Sequence, residues 1–94
     1  MIEPVFAWNP EKDALLRATR GIGFEDVVKA FRDGRVLADM ANPNPRFPGQ
    51  GLLIVEIGDY AIVVPYISDG SQFFLKTLFP DRKAKRRFIG HRES

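Results

Sequence analysis

The hydrophobic and polar positions divide the first third of the chain into two helices. Asn9 and Pro10 are typical of a helix start, because asparagine caps free amide groups and proline fits the first helical position. A helix is therefore predicted over residues 11–20. A second helix is predicted within residues 23–34. Its apolar residues recur at helical spacing and form one stripe, made of Val27, Val28 and Phe31.

The remainder of the chain is dominated by β-branched and aromatic residues, which favour strands. Gly58 and Asp59 lie between two such runs and predict a two-residue hairpin turn of type II′. A basic segment after Asp81 predicts a short helix over residues 82–89. The predicted strands cover residues 4–8, 35–40, 52–57, 60–67 and 73–79.

These elements predict one α+β domain over residues 1–94. Two N-terminal helices are expected to pack on an antiparallel sheet of about four strands, followed by a short C-terminal helix. The strands are apolar at nearly every position, so both sheet faces should be covered. We expect the N-terminal helices on one face, and the C-terminal helix, a ligand or a partner on the other.

Composition narrows the functional classes. The chain has no cysteine, which excludes disulfides and thiolate metal sites and favours a cytoplasmic location. His91 is the only histidine, so a metal site made of several histidines is excluded. No apolar run is long enough to cross a membrane. We therefore expect neither a metal, nor another cofactor, nor a membrane partner.

The positive charge is concentrated at the C-terminus. Residues 81–94 contain six Lys/Arg and two acids, a net charge of +4, whereas residues 1–80 contain eight basic and ten acidic residues, a net charge of −2. This asymmetry suggests a polyanion or an acidic protein as partner. The alternative is a solvated basic tail that only aids solubility.

Lys76 interrupts an apolar strand and therefore stands out as a candidate. If the turn that precedes its strand is centred on Gly70, Tyr66 faces Phe74, and Tyr66 and Lys76 are diagonal neighbours on one sheet face. A slip of one residue would move Lys76 to the other face. The structural alternative is that Lys76 extends from a sheet edge to solvent while Tyr66 fills the core.

Several stretches of the chain resemble BrnT toxins, a branch of the RelE/ParE-like toxins of bacterial type II toxin–antitoxin systems. The first stretch resembles the family's opening segment and contains Phe6, Trp8, Pro10, Lys12, Arg20, Gly21, Ile22, Phe24, Glu25 and Asp26. The second is the basic stretch after the last strand, with Arg82, Lys83, Ala84, Lys85, Arg86 and Arg87.

The resemblance implies a metal-independent endoribonuclease that inhibits translation and acts on RNA, free or on the ribosome. A cognate antitoxin would neutralise it and connect it to operator DNA. The RNA 2′-OH is the nucleophile, so the protein supplies orientation, charge and proton transfer. The catalytic candidates are Lys76, Arg82, Arg86, Tyr66 as acid and Glu25 as base, with Glu56 or Lys76 as other candidates for the base. The RNA-binding candidates are Arg20, Lys83, Lys85 and Arg87.

Two alternatives remain open. The chain can be a non-catalytic α+β module that binds an acidic protein or a nucleic acid. Gly51 stands where the family often has a basic residue, and Pro65 lies near the position of a frequent histidine, which favours this alternative. The other alternative is that the basic tail is inert and that the sheet face is an interface with an antitoxin or a second copy of the chain.

Overall fold

The computed structural model describes residues 4–90, and His91 lies outside them. These described residues form three helices and a six-stranded mixed sheet, so the prediction of an α+β fold is confirmed. In chain order the elements are β1 (Val5–Trp8), α1 (Pro10–Arg20), α2 (Phe24–Arg32), β2 (Val36–Ala41), β3 (Gln50–Ile57), β4 (Tyr60–Asp69), β5 (Gln72–Leu75), β6 (Phe79–Pro80) and α3 (Arg82–Phe88).

The sheet has the strand order β1-β5-β4-β3-β2, and β6 pairs with β4 beyond the end of β5. Strands β2 to β5 are antiparallel neighbours, as predicted. The prediction of an antiparallel sheet of about four strands is nevertheless incomplete. Strand β1 joins β5 in parallel, with Val5 opposite Gln72, and this pairing makes the sheet mixed.

Side chains that accept hydrogen bonds from backbone amides cap the starts of both α1 and α2. Asn9 caps α1 by accepting from the amides of Glu11 and Lys12, which confirms the predicted helix start. Asp13 Oδ1 accepts the Phe24 amide at 2.8 Å, and its Oδ2 accepts from Arg17 Nε at 3.1 Å. One carboxylate of α1 therefore caps the start of α2.

The two N-terminal helices cover one face of the sheet. This helical face has a core in which α1 and α2 pack on β3, β4 and β5. Phe24 and Val27 are fully buried there. The sheet residues of this core include Leu53, Val55, Ile62, Val64, Tyr66 and Leu75.

The opposite face is covered in part by α3. Ala84 and Ile89 pack there against Ile54, Ala61 and Val63. We call this side the α3 face. It confirms the expectation that the C-terminal helix contributes to covering the second side of the sheet.

The first hairpin turn confirms the predicted register but not the turn type. Ile57 pairs with Tyr60, as expected. Gly58 has a φ of 60° and Asp59 a φ of 65°. Positive φ at both central residues defines a type I′ turn, whereas type II′ needs it only at the first. The prediction of type II′ was therefore wrong.

The second hairpin differs from the predicted register by one residue. Tyr66 pairs with Leu75 and Ile67 with Phe74, because Asp69 pairs with Gln72 across a two-residue turn. The predicted strand 73–79 is also broken. Leu75 and Leu78 both enter the core on the helical face, which is impossible at three-residue spacing in a regular strand, where side chains alternate.

No helix within residues 4–90 is long and apolar enough to cross a membrane.

Candidate functional site

A groove of about 730 Å³ opens on the α3 face. It lies between α3, the end of β5 and the loop of residues 42–49. Its floor consists of sheet residues from β3 and β4, namely Leu52, Ile54, Val63 and Pro65. Its walls carry further large apolar side chains, namely Met40, Phe47, Phe79 and Phe88.

Among residues 4–90, three cations line this groove: Lys76, Lys83 and Arg87. The Lys76 amide donates to the Pro65 carbonyl at 2.8 Å, which ties the chain to β4 just beyond β5. Lys76 Nζ lies 5.3 Å from the centroid of the Phe74 ring, a cation–π contact. Lys76 is therefore held at the groove by its backbone, and the residue is exposed.

Lys83 and Arg87 reach the groove because they lie one helical turn apart on α3. Asp81 caps this helix, and its Oδ1 accepts the Lys83 amide at 3.1 Å. Asp81 is the single carboxylate among the described residues that line the groove. Within residues 4–90, no carboxylate forms an ion pair with Lys76, Lys83 or Arg87. The groove therefore carries an excess of positive charge.

The other predicted basic residues lie elsewhere. Arg82 and Arg86 are exposed on α3 and do not line the groove. Lys85 Nζ lies 5.0 Å from the centroid of the Tyr60 ring. Arg20 is in the last turn of α1, in the helical layer on the opposite face of the sheet. The predicted basic cluster is thus divided, and only part of it surrounds one cavity.

The predicted diagonal contact between Lys76 and Tyr66 is wrong. The one-residue slip in the second hairpin places Tyr66 on the helical face with Leu75, whereas Lys76 lines the groove on the α3 face. Tyr66 is buried, and its ring stacks on Phe73 with centroids 4.4 Å apart. Its core position is the structural alternative named for it above.

The hydroxyl of Tyr66 forms a hydrogen bond with a carboxylate. It donates to Asp39 Oδ1 at 2.6 Å. Burial, followed by the hydrogen bond and charge of Asp39, raises the pKa of Tyr66 to about 12. The neutral phenol is thus strongly favoured, and its proton is directed towards Asp39.

Neither candidate glutamate adjoins Lys76. Glu25 is exposed in the first turn of α2, within the helical layer. Glu56 pairs with Ala61, whereas Lys76 is bonded to Pro65, four residues further along β4. That separation is about 13 Å along the strand. Asp81 is therefore the carboxylate that the fold brings to the groove.

Sequence reasoning missed the apolar part of this site. No helix or strand was predicted between residues 40 and 52, yet the loop between β2 and β3 supplies Phe47, which is 46 % exposed. Asn42 and Asn44 shape the loop by accepting the amides of Asn44 and Arg46. The available signal was a large aromatic residue between two prolines in a polar loop.

Metal ligands are not clustered in the described part of the chain. Residues 4–90 contain no group of three or more His, Asp or Glu side chains placed to hold a metal ion. The described residues that line the groove offer cations, one carboxylate and an aromatic surface.

Comparisons with known proteins do not extend this description. No protein-family model, curated protein or solved structure matches the chain.

Proposed function

We propose that this protein is the toxin of a bacterial type II toxin–antitoxin system and a metal-independent endoribonuclease of the BrnT, RelE/ParE-like type. The observation that carries the proposal is the convergence of Lys76, Lys83 and Arg87 on one groove without a paired carboxylate among the described residues. Ammonium and guanidinium groups bind phosphate strongly, and three of them match a polyanionic backbone. The resemblance of the sequence supplies the biological context.

The reaction needs few protein groups. A base takes the proton of the ribose 2′-OH, the O2′–phosphorus bond forms, and the phosphorus–O5′ bond breaks. The departing O5′ receives a proton, which leaves a 2′,3′-cyclic phosphate and a 5′-hydroxyl end. Lys83 and Arg87 hold the phosphate and offset the charge that develops on it. Lys76 stands at the same phosphate and can give a proton to O5′.

We assign the base to Asp81 in place of Glu25. Asp81 lines the groove, and only its Oδ1 is engaged by the Lys83 amide. Tyr66 leaves the set of catalytic candidates, because it lies on the other face and donates to Asp39. In this proposal Arg82 and Arg86 attract RNA at long range and do not contact the reacting phosphate.

The second candidate function is a binding module without catalysis. It is favoured by the separation of Tyr66 and Glu25 from Lys76, which leaves the groove rich in cations and poor in acid–base groups. In that case the groove retains an acidic ligand or RNA without cutting it.

Expression of the protein alone in bacteria separates the two functions. Growth and RNA integrity would be compared for wild type, Lys76→Ala, Lys83→Ala/Arg87→Ala and the matched pair Arg82→Ala/Arg86→Ala. Both pairs remove two charges from α3, so they differ only in the side of the helix that they change. We expect growth arrest and RNA fragmentation with wild type, their loss with the groove variants, and their retention with the matched pair.

Asp81→Asn tests the proposed base, because asparagine caps a helix as well as aspartate does but cannot take a proton at neutral pH. Cleavage should fall by about 10²-fold or more while RNA binding is retained.

In the expression experiment, normal growth and intact RNA with folded wild-type protein would exclude the ribonuclease and favour the binding module.

A further inference from the structure

Phe47 is a large aromatic residue that the packing of the protein does not use. It lies in the loop of residues 42–49, lines the groove and is 46 % exposed. Phe79 and Phe88 also line the groove, but both pack against the core on the α3 face. Among the described residues, neither hydrophobic core includes Phe47. Its ring is therefore available to a ligand in the groove.

The backbone of Phe47 is held in place although the residue is exposed. Its amide donates to the Asn44 carbonyl at 3.0 Å, and its carbonyl accepts from the Gln50 amide at 3.3 Å. The Asn44 amide in turn donates to Asn42 Oδ1 at 3.0 Å. The loop thus places the ring before a ligand arrives, which reduces the conformational entropy that is lost on binding.

The two sides of the groove differ in chemistry. Lys83 and Arg87 line it from α3, whereas Phe47 lines it from the loop. A phosphate group uses only the cations and leaves the ring and the apolar floor in contact with water. A nucleotide has the same division as the groove, because its phosphate is anionic and its base has a flat π-face. The groove volume of about 730 Å³ lies within the range of small-ligand pockets, about 300–1,000 Å³.

The groove also offers a hydrogen-bond donor for the edge of a base. Gln50 lines it, and Gln50 Oε1 accepts from Asn42 Nδ2 at 3.0 Å. Within residues 4–90, Gln50 Nε2 has no hydrogen-bond partner. Nucleobases carry carbonyl and ring-nitrogen acceptors on their edges, so this amide can donate to a base without losing its bond to Asn42.

We propose that the groove contains a subsite for an unpaired nucleobase, in which the Phe47 ring stacks on the base while Lys83 and Arg87 hold the adjoining phosphate. This subsite rests on the proposed binding of RNA in the groove but not on the cleavage of that RNA. The base must be unpaired, because a base within a duplex is covered by its neighbours. By binding the base, Phe47 fixes the position of the phosphate relative to Lys76.

The binding of an uncleavable RNA tests the subsite without any reaction. The probe is a fluorescent single strand of eight 2′-O-methyl nucleotides, whose blocked 2′-oxygen cannot attack phosphorus. The reference is an abasic strand with the same sugar–phosphate backbone, length and charge. Wild type should bind the probe at least fivefold more tightly than the abasic strand, because a stacked base adds affinity. Equal affinity for the two strands overturns the proposal.

Substitutions of Phe47 separate stacking from general apolar contact. Phe47→Trp keeps an aromatic ring and should keep the preference for the probe over the abasic strand within twofold. Phe47→Leu and Phe47→Ser remove the ring and should each lower that preference at least threefold. Their affinity for the abasic strand should stay within twofold of wild type, which shows that the cations are still in place. An unchanged preference in both variants overturns the proposal.

Leu15→Ser is the matched control for the loss of an exposed apolar side chain. Leu15 is 55 % exposed on α1, in the helical layer on the other side of the sheet. This variant should bind both strands as wild type does. A loss of preference in Leu15→Ser equal to that in Phe47→Ser would show that the effect is not specific to the groove, which overturns the proposal.

The dependence of affinity on salt distinguishes the ring from the cations. Each neutralised phosphate of a single strand contributes about 0.7 to the slope of log affinity against log salt, so Lys83→Ala/Arg87→Ala should reduce the slope by about 1.4. Phe47→Ser should leave the slope unchanged, because stacking releases no counterions. A reduced slope in Phe47→Ser would show that the loop positions the cations and does not contact a base, which overturns the proposal.

The subsite and the ribonuclease can fail separately. A preference for the probe over the abasic strand, without cleavage of ordinary RNA, leaves the subsite in place and removes the ribonuclease. Cleavage of RNA without that preference does the reverse. Sedimentation that shows self-association abolished by Phe47→Ser would assign the ring to a second copy of the chain and overturn the subsite.

Discussion

Tyr66 and Asp39 are joined by a 2.6 Å hydrogen bond between the phenol and Asp39 Oδ1 at the end of the helical face of the sheet. The Tyr66 ring is parallel to Phe73 within 7°. A Cβ atom added at Gly51 would lie 2.5 Å from the same ring. The ring is therefore fixed by an acceptor at its tip, a stacked neighbour on one side and the bare backbone of Gly51 nearby.

Gly51→Ala should destabilise the protein by about 1–3 kcal/mol, because the added methyl group overlaps a ring that cannot move freely. Chemical denaturation of wild type and variant measures this difference in the free energy of unfolding.

The same substitution in a Tyr66→Leu background provides the control. Leucine lacks the ring atoms that meet the new methyl group, so the cost of Gly51→Ala should fall by more than half there. An equal cost in both backgrounds would show that the close approach to Tyr66 is not the cause.

The raised pKa of Tyr66 predicts a loss of stability at alkaline pH. The pKa of Tyr66 is raised to about 12 in the folded protein, above the ordinary tyrosine value of 10.0, so folding favours the neutral phenol. The stabilisation is complete below about pH 10 and is lost as the pH rises towards 12. This difference in pKa corresponds to a stabilisation of the folded protein by about 2–3 kcal/mol below pH 10.

Tyr60→Phe leaves Tyr66 as the only tyrosine, because the chain has two. Its ultraviolet absorbance should then titrate near pH 12 in the folded protein. In parallel, the stability advantage of wild type over Tyr66→Phe should shrink between pH 10 and pH 12. Titration of the folded Tyr60→Phe protein near pH 10 would contradict the proposed environment of Tyr66.

The lowered pKa of Asp13 predicts a loss of stability at acidic pH. The Phe24 amide, and then Arg17, hold the pKa of this carboxyl below its usual range, although desolvation opposes them. Its contribution is therefore present above about pH 4 and is lost as the pH falls through the depressed pKa.

Asp13→Ala should cost about 1 kcal/mol at pH 7, since the start of α2 loses a capping acceptor. The cost should shrink towards pH 2, which urea unfolding at several pH values can measure. Glu11→Ala is the control, because Glu11 is an exposed acid in the same helix. A constant cost of Asp13→Ala from pH 7 to pH 2 would rule out a role for the charged carboxylate.

Local signals allowed much of this fold to be predicted. Asn9 and Pro10 marked the start of α1, and the tight turn at Gly58 fixed the pairing of Ile57 with Tyr60. These features depend on neighbouring residues, which is why the sequence alone determines them.

The candidate site could be predicted less well from the sequence, because it depends on strand register and on contacts between residues that are distant in the chain. The turn near Gly70 admits two pairings that differ by one residue, and the observed one moves Lys76 away from Tyr66. The groove also needs the loop with Phe47, which no periodic pattern connects to α3. The parallel pairing of β1 likewise has no local signal.

The pairing of β1 with β5 has a consequence for biosynthesis. Val5 and Gln72 are partners 67 residues apart, so the first strand emerges from the ribosome long before the strand that it joins. Closing so long a loop is slow. Helix α3 follows later still and brings Lys83 and Arg87 to the groove. A nascent chain that stops before residue 82 therefore contains Lys76 but neither Lys83 nor Arg87, and the proposed phosphate-binding site is complete only once residue 87 has been added.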